Sequence, residues 1–515
     1  MLLQIHNLGH SGVVSDRDPT VLPLEAISYG ENYKVVNDKI VSAYNDKLTA
    51  TQTITQACGH VFWVPNTSFY ITMARTLAAV YNGSAWSNIT DTGGYAAAIG
   101  TDQELLWTHC MIGNIPIVNN PQVWPSYWSP QQTTQVLQPL NFNVANTWKA
   151  LTYHAKVIRA HNNFLFALNL TEGATNYPTS YRWSHPADVN GLPYTWDETD
   201  LAAIAGKASI GVGGDIIDGM TLRDAFVIYS RTAITVLDYV GGEFIWSSRT
   251  LTTSHGLLAV NCVIEVNGVH YFMTVGDIMS NDGNSITSIL SNRIKDNFVA
   301  TMSPTKYANS FVCSNSLTKE IWFCYPEIGN TYPSIAIVLN YEFNTLTERF
   351  LPQRPYATFG PQLTAELSWT TITDTWDSVG TPWGSDLSAS FNATIIAANS
   401  AGDLYSLEIY DITNVQGTIA EREGIIVNDQ MQVFTTTSVY PNITSTGSVW
   451  IQLGAQDFAG YPVRWQTASL FTPTTMRKVE QRATGSLLAW RVFSNGVTPF
   501  TLTGLDIEYT LNGVR

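Results

Sequence analysis

The sequence predicts an all-β fold, a β-propeller of six or seven blades followed by a β-sandwich-like region, and three observations predict it. Short strands with period-2 alternation follow one another through tight turns, as in residues 262–275, where Asn267-Gly268 suits a two-residue type I′ turn. Such hairpin units begin about 40 to 80 residues apart, which fits propeller repeats of about 40 to 50 residues that carry insertions. After about Glu423 the strands become longer, which is typical of a sandwich rather than of another blade.

Composition limits the classes of function. The chain has 515 residues, more than one hydrophobic core usually fills, so two or more domains are expected. Only 13% of the residues are charged, against about 25% in typical soluble proteins, and this favours a subunit of an assembly. The net charge of -15 disfavours generic binding to nucleic-acid phosphates, which needs clustered Lys and Arg.

The first segment, residues 1–57, reads as an irregular arm that carries one hairpin around residues 33–44. Few apolar residues lie there in a usable period. We therefore expect the arm to be disordered in an isolated subunit and to become ordered only on docking to a partner.

Residues 58–422 hold the predicted propeller, with units starting near residues 58, 105, 156, 220, 262, 311 and 393. The strand pattern is lost between about residues 353 and 390, where Trp369, Trp376 and Trp383 recur every seven residues. The many threonines between them disfavour a helix, so we interpret this stretch as an inserted loop region. Residues 423–515 form the sandwich-like region.

The sequence shows no feature of a membrane or secreted protein. No apolar run approaches the roughly 18 residues of a membrane span, and the N-terminus lacks the basic and apolar regions of a signal peptide. We expect synthesis in a cytosol and no membrane span. The cysteines are odd in number and lie mostly in apolar strands, so we expect buried free thiols at Cys58, Cys110, Cys262, Cys313 and Cys324.

Residues that could carry chemistry are few. Asp197, Glu198 and Asp200, or Asp102 with Glu104, would suffice for a glycosidase if two carboxylates lay about 5 to 9 Å apart, but such carboxylates are common in loops. The histidines lack metal-ligand spacing, and residues 277–284, which have calcium-loop character, read better as a hairpin turn. The sequence therefore predicts no catalytic residue, no metal site, no cofactor and no enzymatic activity.

Several short segments, spread from one end of the chain to the other, share the pattern of one family. They are residues 12–19, Leu22-Pro23 and residues 29–40 near the N-terminus, a segment at 113–121 that begins Gly113-Asn114-Ile115-Pro116, and residues 225–239, 256–284 and 504–509. Together these segments resemble the tail nozzle proteins of short-tailed bacteriophages, and the resemblance extends over nearly the whole chain.

The resemblance implies a structural virion protein of the phage tail, a propeller subunit of a homo-hexameric ring. This ring would sit below the portal and its adaptor and extend the channel through which viral double-stranded DNA passes without sequence-specific binding. The N-terminal arm and the C-terminal sandwich would together form the platform that meets the adaptor. Tail fibre or tailspike proteins would attach to the ring, which would be assembled in the host cytoplasm. Candidate adaptor-docking residues of the arm are Asp16, Asp18, Pro19, Leu22 and Pro23.

The charge of the chain agrees with such a channel. Six copies at -15 would total about -90, and an acidic lumen repels phosphates, so that DNA slides rather than sticks. Lumen-facing positions are therefore expected to be mainly acidic or polar, with any Lys or Arg paired to a carboxylate. The loop that carries Asp197, Glu198 and Asp200 is a candidate for the lumen or its rim.

Two alternatives stay open. Trp124, Trp128, Trp183 and Trp196 could stack on sugar rings, which would make the chain a propeller-type glycan-binding protein or a glycosidase acting on the host cell surface. Packing in loops or interfaces is the competing interpretation of these tryptophans, and we favour it because aromatic residues are enriched in interface cores. A fibre-type receptor binder is disfavoured because heptad repeats are absent.

Overall fold

A computed structural model of the chain describes residues 1–513 except 55–57, 66, 68, 93, 96–98, 101–104, 130–135, 189–190, 243–244, 363–392, 410–416, 429–431 and 497. In these residues β-strand is the dominant regular structure, and α-helix is confined to α1 (Trp148–Leu151) and α2 (Lys295–Thr301). The predicted all-β class is confirmed.

The arm carries five short strands. They are β1 (Leu2–His6), β2 (Tyr29–Glu31), β3 (Tyr33–Val36), β4 (Lys39–Ser42) and β5 (Lys47–Ala50). The expected hairpin is β3–β4, and its turn residues Asn37 and Asp38 both have positive φ, as a type I′ turn requires.

Seven successive sets of strands follow, which we number as blades 1 to 7 in chain order. The first three are β6 (Cys58–Trp63), β7 (Tyr70–Ala74), β8 (Ala78–Tyr81) and β9 (Trp86–Asn88), then β10 (Thr108–Ile112), β11 (Ile115–Asn119), β12 (Ser126–Tyr127) and β13 (Gln138–Pro139), then β14 (Tyr153–His161), β15 (Phe164–Glu172), β16 (Thr175–Trp183) and β17 (Gly206–Ser209). Blades 4 and 5 are β18 (Ile216–Leu222), β19 (Ala225–Ser230), β20 (Ile234–Tyr239) and β21 (Trp246–Thr252), then β22 (Val263–Val266), β23 (Val269–Thr274), β24 (Asp277–Asn281) and β25 (Ile286–Ser288). Blade 6 is β26 (Phe311–Asn315), β27 (Glu320–Tyr325), β28 (Ile335–Asn340) and β29 (Thr345–Phe350), and blade 7 begins with β30 (Tyr356–Pro361), β31 (Ala393–Ala398) and β32 (Leu404–Ser406).

The sets are arranged as a β-propeller. Six of them are separate four-stranded antiparallel sheets, and the four strands of blade 6 open a ten-stranded sheet. The first strand of each set lies innermost and contacts the first strand of a neighbouring set. Central strands such as β19 and β27 are buried almost throughout, because adjacent blades pack on both of their faces. The prediction of six or seven blades is confirmed: six blades are separate sheets, and blade 6 continues through the ten-stranded sheet into the C-terminal region.

Blade 7 is completed from the other end of the chain. Strand β5 pairs antiparallel with β32, with Ala50 opposite Leu404 and Lys47 opposite Ser406, and thereby closes the ring. The arm is therefore not separate from the propeller, and the predicted boundary at residue 57 falls after a strand that belongs to a blade. The interpretation of residues 353–390 as a loop is likewise wrong at its start, where β30 forms. Its remainder, with Trp369, Trp376 and Trp383, lies outside the described residues.

The C-terminal region contributes nine strands in the part of the chain that the structure describes. They are β33 (Ile419–Ile426), β34 (Val433–Ser445), β35 (Val449–Gln456), β36 (Arg464–Trp465), β37 (Ser469–Phe471), β38 (Val479–Glu480), β39 (Thr484–Gly485), β40 (Leu487–Phe493) and β41 (Phe500–Gly513).

The platform consists of two sheets that share one hydrophobic core. Strands β1, β3, β4, β34, β38, β39 and β41 form a seven-stranded sheet, and strands β2, β33, β40, β35, β36 and β37 form the second half of the ten-stranded sheet. Phe434, Leu453, Trp490 and Leu505 lie between them, each at most 1% exposed. The predicted sandwich-like platform, built from the arm together with the C-terminal region, is confirmed.

Backbone pairing orders the arm within the single chain. Strands β1 and β4 pair with β41, and β2 pairs with β33. Ile5, Tyr33 and Ile40 are buried in the same core. The expectation of a disordered arm in the isolated subunit is therefore corrected, because the strands that order the arm lie some 400 residues away in the same sequence.

Candidate functional site: the platform arm and the propeller axis

The candidate docking residues of the arm are mostly used inside the fold. Asp18 caps a 3-10 turn that begins at Pro19, since its Oδ1 accepts hydrogen bonds from Thr20 N at 2.9 Å and Thr20 Oγ1 at 2.8 Å. Leu22 is buried in a small hydrophobic cluster with Val14 and Ala26.

Asp16 has a similar internal role at the start of α2. Its Oδ2 accepts from the backbone N–H groups of Lys295 at 2.6 Å and Asp296 at 3.2 Å, which are orphan donors at a helix N-terminus. Asp16 and Asp18 thus both cap local structure, and Asp18 is exposed. Leu22 and Pro23 nevertheless line an open cleft, together with residues of blades 5 and 6.

Ion pairs tie the arm to blades 6 and 7. Lys34 Nζ lies 3.3 Å from Glu408 Oε2, and Arg354 Nη2 donates to Asp46 Oδ2 at 2.8 Å. Arg349 of β29 also pairs with Glu408. These side chains are largely buried, so removal of either partner would leave a charge in a poorly solvated site.

The acidic loop residues Asp197, Glu198 and Asp200 lie between β16 and β17, the two outer strands of blade 3. Asp197 Oδ1 accepts from Thr199 Oγ1 at 2.6 Å and from Thr199 N at 3.0 Å, and these hydrogen bonds lower its pKa. Glu198 pairs with the buried Arg182, and Asp200 Oδ1 accepts from the N–H of Ala202. All three carboxylates therefore have roles in building the loop, on the outer part of the blade and away from the propeller axis.

A cavity of about 750 Å³ opens along the propeller axis between the inner strands. Arg159, which lines it, donates from Nε to Asp218 Oδ1 at 2.9 Å and from Nη2 to Asp218 Oδ2 at 2.7 Å. Further N–H groups of Arg159 donate to Asn261 Oδ1 and to the carbonyl oxygen of His109. The guanidinium thus makes four hydrogen bonds and links blades 2, 3, 4 and 5 beside the axis.

Two histidines extend this polar network. His60 Nε2 and His109 Nδ1 are 2.8 Å apart, so one of them donates a single proton to the other. Burial, with Arg159 nearby, lowers the pKa of His109 to about 3, and burial also holds the pKa of His60 well below its usual range. Both rings are therefore neutral at physiological pH. The sequence reasoning missed this network, although Arg159 and Asp218 inside otherwise apolar strands were a visible signal.

The size of the axial cavity limits what can occupy it. Small-molecule pockets have volumes of about 300 to 1,000 Å³, and this cavity falls in that range. A DNA duplex is far larger than a small molecule and does not fit in it. A conduit for DNA would therefore have to lie outside the single propeller, between copies of the chain.

The remaining candidate residues have structural roles where they are described. Trp128 and Trp196 are fully buried, so neither presents a face for a sugar ring. Asp282 Oδ1 accepts from the backbone of Asn284 and Ser285, as the hairpin-turn interpretation predicts. Asp102 and Glu104 lie outside the described residues.

The cysteines are free thiols, and most of them are buried in strands. All five cysteines are free, and four are buried, as the sequence predicts, with Cys110 partly buried. In the described part of the chain, no group of three or more His, Cys, Asp and Glu side chains is placed to hold a metal ion. No helix among these residues is long and apolar enough to cross a membrane.

Comparisons with known proteins give no family for this chain. No family model matches it, and no curated protein matches it. Hsv2 of Kluyvelomyces marxianus is similar with a TM-score of 0.33 and 10% identity, over 59% of this chain and 72% of that chain. The AfRom2 CNH domain is similar with a TM-score of 0.39 and 8% identity, over 71% of this chain and 100% of that domain. These likenesses are too distant to carry an argument, so the propeller assignment rests on the strand pairing.

Proposed function

We propose that this chain is a structural virion protein, the subunit of a hexameric tail nozzle ring of a short-tailed bacteriophage. The ring extends the DNA-ejection channel below the portal and adaptor, retains the genome and then conducts it, and has no enzymatic activity. One observation carries the proposal: the platform is built jointly from the N-terminal arm and the C-terminal region beside a propeller. This is the arrangement that the resemblance to tail nozzle proteins implies.

The distribution of charge supports a conduit that DNA does not bind. Residues 58–422 contain 16 Lys and Arg and 29 Asp and Glu, a net charge of 16 − 29 = −13. The rest of the chain contains 10 Lys and Arg and 12 Asp and Glu, a net charge of −2. Nearly all of the net negative charge therefore belongs to the propeller region. An acidic wall repels phosphates at distances up to about a Debye length, roughly 8 to 10 Å at moderate salt.

The proposed partners follow from the position in the tail. They are other copies of the chain, the portal and adaptor above the platform, and tail fibre or tailspike proteins on the outside of the ring. Viral double-stranded DNA passes between the copies, because the axis of each propeller holds only a small cavity. The site of action is the virion tail.

The test is a particle-size measurement and negative-stain imaging of the purified chain, alone and mixed with portal and adaptor. We expect six-fold rings in the mixture. A chain that remains monomeric in the presence of both partners would contradict the proposal. Six-fold rings with unpaired Lys and Arg along the lumen would keep the ring but defeat the sliding mechanism, because each such cation would hold a phosphate.

A further inference from the structure

A cleft of about 420 Å³ lies where the arm meets blades 5 and 6. One wall comes from the arm and the other from the turn that precedes α2 and the turn between β28 and β29. The lining residues on which the argument depends are His10, Arg17, Leu22, Pro23, Arg293 and Phe343.

Every charged side chain that lines this cleft is a cation or a histidine that gains a proton readily. Arg17 is exposed, and Arg293 is partly buried, which lowers its pKa without any compensating carboxylate. His10 Nδ1 lies 2.8 Å from Asp38 Oδ1, which raises the pKa of His10 and so favours its charged form. Two guanidinium groups, together with a histidine that pairs with Asp38, therefore line one cleft in a chain whose net charge is -15.

The two arginines differ from the paired arginines elsewhere in the fold. Arg159 pairs with Asp218, and Arg354 pairs with Asp46. Within the described residues, neither Arg17 nor Arg293 has a carboxylate at ion-pair distance, and Arg293 Nη1 donates only to a backbone oxygen, that of Asn344, at 2.8 Å.

Asp16 and Asp18, the acidic residues on either side of Arg17, do not line the cleft. The carboxylates of Asp16 and Asp18 accept hydrogen bonds from backbone N–H groups at the start of α2 and of the 3-10 turn. A guanidinium that is partly removed from water without a counter-charge favours an anion supplied from outside.

The cleft also offers apolar contacts. Pro23 is exposed on one side, and Phe343 on the other side is 43% exposed. A bare inorganic anion would not use these surfaces, whereas a peptide that alternates carboxylates with apolar side chains would use both. A DNA backbone offers no apolar groups of this kind and is repelled by the net charge of the chain.

We propose that this cleft binds an acidic peptide segment of the protein that sits on the platform. Carboxylates of that segment pair with the guanidinium groups of Arg17 and Arg293, and its apolar side chains pack against Pro23 and Phe343. This rests on the proposed function, in which the platform meets the adaptor. It moves the docking role from Asp16 and Asp18, which are used internally, to the arginines beside them.

The first test uses a rhodamine-labelled synthetic peptide, Gly-Glu-Leu-Glu-Pro-Glu-Leu-Glu, and fluorescence anisotropy with the intact protein. We expect saturable binding that weakens with added salt and is lost when Gln replaces every Glu of the peptide. Arg17→Gln and Arg293→Gln should each weaken binding about tenfold or more, which corresponds to loss of one charge-assisted hydrogen-bonded pair. Arg293→Lys should recover part of the affinity, because it restores the charge without the planar fork.

The control is Arg249→Gln, which removes an exposed arginine on β21 that pairs with Asp238 and does not line the cleft. It should leave peptide binding unchanged, and thermal unfolding of each variant should show that the fold is intact. Peptide binding that is insensitive to both Arg17→Gln and Arg293→Gln would overturn the proposal. A 20-base-pair DNA duplex is tested in the same way. If it bound more tightly than the peptide, and if this binding were lost in the same variants, the ligand of the cleft would be DNA rather than a peptide.

A second test separates the cleft from the nozzle assignment. Rings formed from the chain, portal and adaptor are compared for the wild type and the Arg17→Gln/Arg293→Gln double variant. We expect the double variant to lose attachment to the adaptor. Equal assembly by both proteins would overturn the cleft as the docking site and leave the nozzle intact. A wild-type chain that never joins the two partners would instead defeat the nozzle assignment, whatever the peptide result.

Discussion

Arg159 and Asp218 make the most consequential ion pair at the propeller axis. Asp218 is fully buried, and both of its oxygens accept hydrogen bonds from the same guanidinium. Asp218→Ala would leave the charge of Arg159 without its partner, so we expect the free energy of unfolding to fall by about 3 to 5 kcal/mol, measured by urea denaturation.

A matched control is the exposed pair of Arg249 and Asp238, whose side chains are each about half exposed. Asp238→Ala should change the free energy of unfolding by no more than about 1 kcal/mol. Replacing the buried pair as a unit, with Arg159→Met and Asp218→Leu, should recover much of the loss because no charge then remains buried. Similar losses for Asp218→Ala and Asp238→Ala would contradict the buried network.

Glu348, at the junction of propeller and platform, makes the free energy of unfolding depend on pH. Burial, together with Glu31 and Glu327 nearby, raises its pKa to about 7, although Asn297 Nδ2 donates to it at 2.6 Å. In the unfolded chain the Glu348 carboxyl group loses its proton near pH 4.5, whereas in the folded chain it does so only near pH 7. The contribution of Glu348 to stability is therefore full below about pH 4.5 and is lost as the pH rises to about 7.

Glu348→Gln should flatten this part of the pH profile and raise the free energy of unfolding at pH 8 by up to about 3 kcal/mol, since one pKa unit corresponds to about 1.4 kcal/mol. The amide oxygen of Gln can still accept the hydrogen bond from Asn297. The comparison is with Glu342→Gln in the exposed turn after β28, measured by chemical denaturation from pH 4 to 8. Identical pH profiles for the wild type and Glu348→Gln would contradict the assignment.

At the scale of single elements, the β22–β23 hairpin depends on its two-residue turn. Asn267 and Gly268 have φ values of 54° and 76°, as expected for a type I′ turn. A Cβ at Gly268 would also lie 3.0 Å from Arg223 Nε. Gly268→Val should therefore lower the free energy of unfolding by roughly 1 to 3 kcal/mol.

The matched variant is Gly268→Asn, because Asn tolerates positive φ far better than Val does. Thermal and urea unfolding of the two variants should rank Asn closer to the wild type than Val. A melting temperature unchanged by Gly268→Val would count against a strained turn at this position.

The elements that the sequence predicts well are those whose determinants are local. The Asn267-Gly268 turn and the β3–β4 hairpin follow from residues within ten positions of each other. Strand β5 could not be assigned in the same way, because its partner β32 lies about 350 residues further on. The arginines of the arm cleft were missed for the same reason, since Arg17 and Arg293 meet only in the folded chain.

The arm itself gives a prediction about dynamics. Because β1 and β4 pair with β41 and β2 pairs with β33, their backbone N–H groups should exchange slowly with solvent in the isolated chain. Hydrogen exchange followed by mass spectrometry should show protection of peptides that contain Ile5, Gly30 and Ile40. Exchange of these peptides as fast as in an unfolded reference would restore the earlier expectation of a disordered arm.

At the scale of the whole molecule, propeller and platform are joined through one continuous sheet. Strand β29 of blade 6 pairs in parallel with β2, with Glu31 opposite Glu348, and β2 continues into β33 and the rest of the platform. The arm spans both parts, since it supplies β2 to the platform and β5 to blade 7. We expect a single cooperative thermal transition by calorimetry, and two well-separated transitions would contradict this coupling.

The pairing of chain ends has a consequence for the time at which the protein can fold. During synthesis the first fifty residues emerge early, but β41, which pairs with β1 and β4, is made about 450 residues later. At translation rates of about 5 to 20 residues per second this delay lasts roughly 20 to 90 s. Throughout that interval the apolar side chains of Ile5, Tyr33 and Ile40 have no folded core against which to pack. They remain accessible to chaperones or to other nascent chains. The amount of protein recovered from a cell should therefore depend on how well these early strands are shielded on the ribosome, and slowing translation after residue 50 should reduce it even though the finished fold is unchanged.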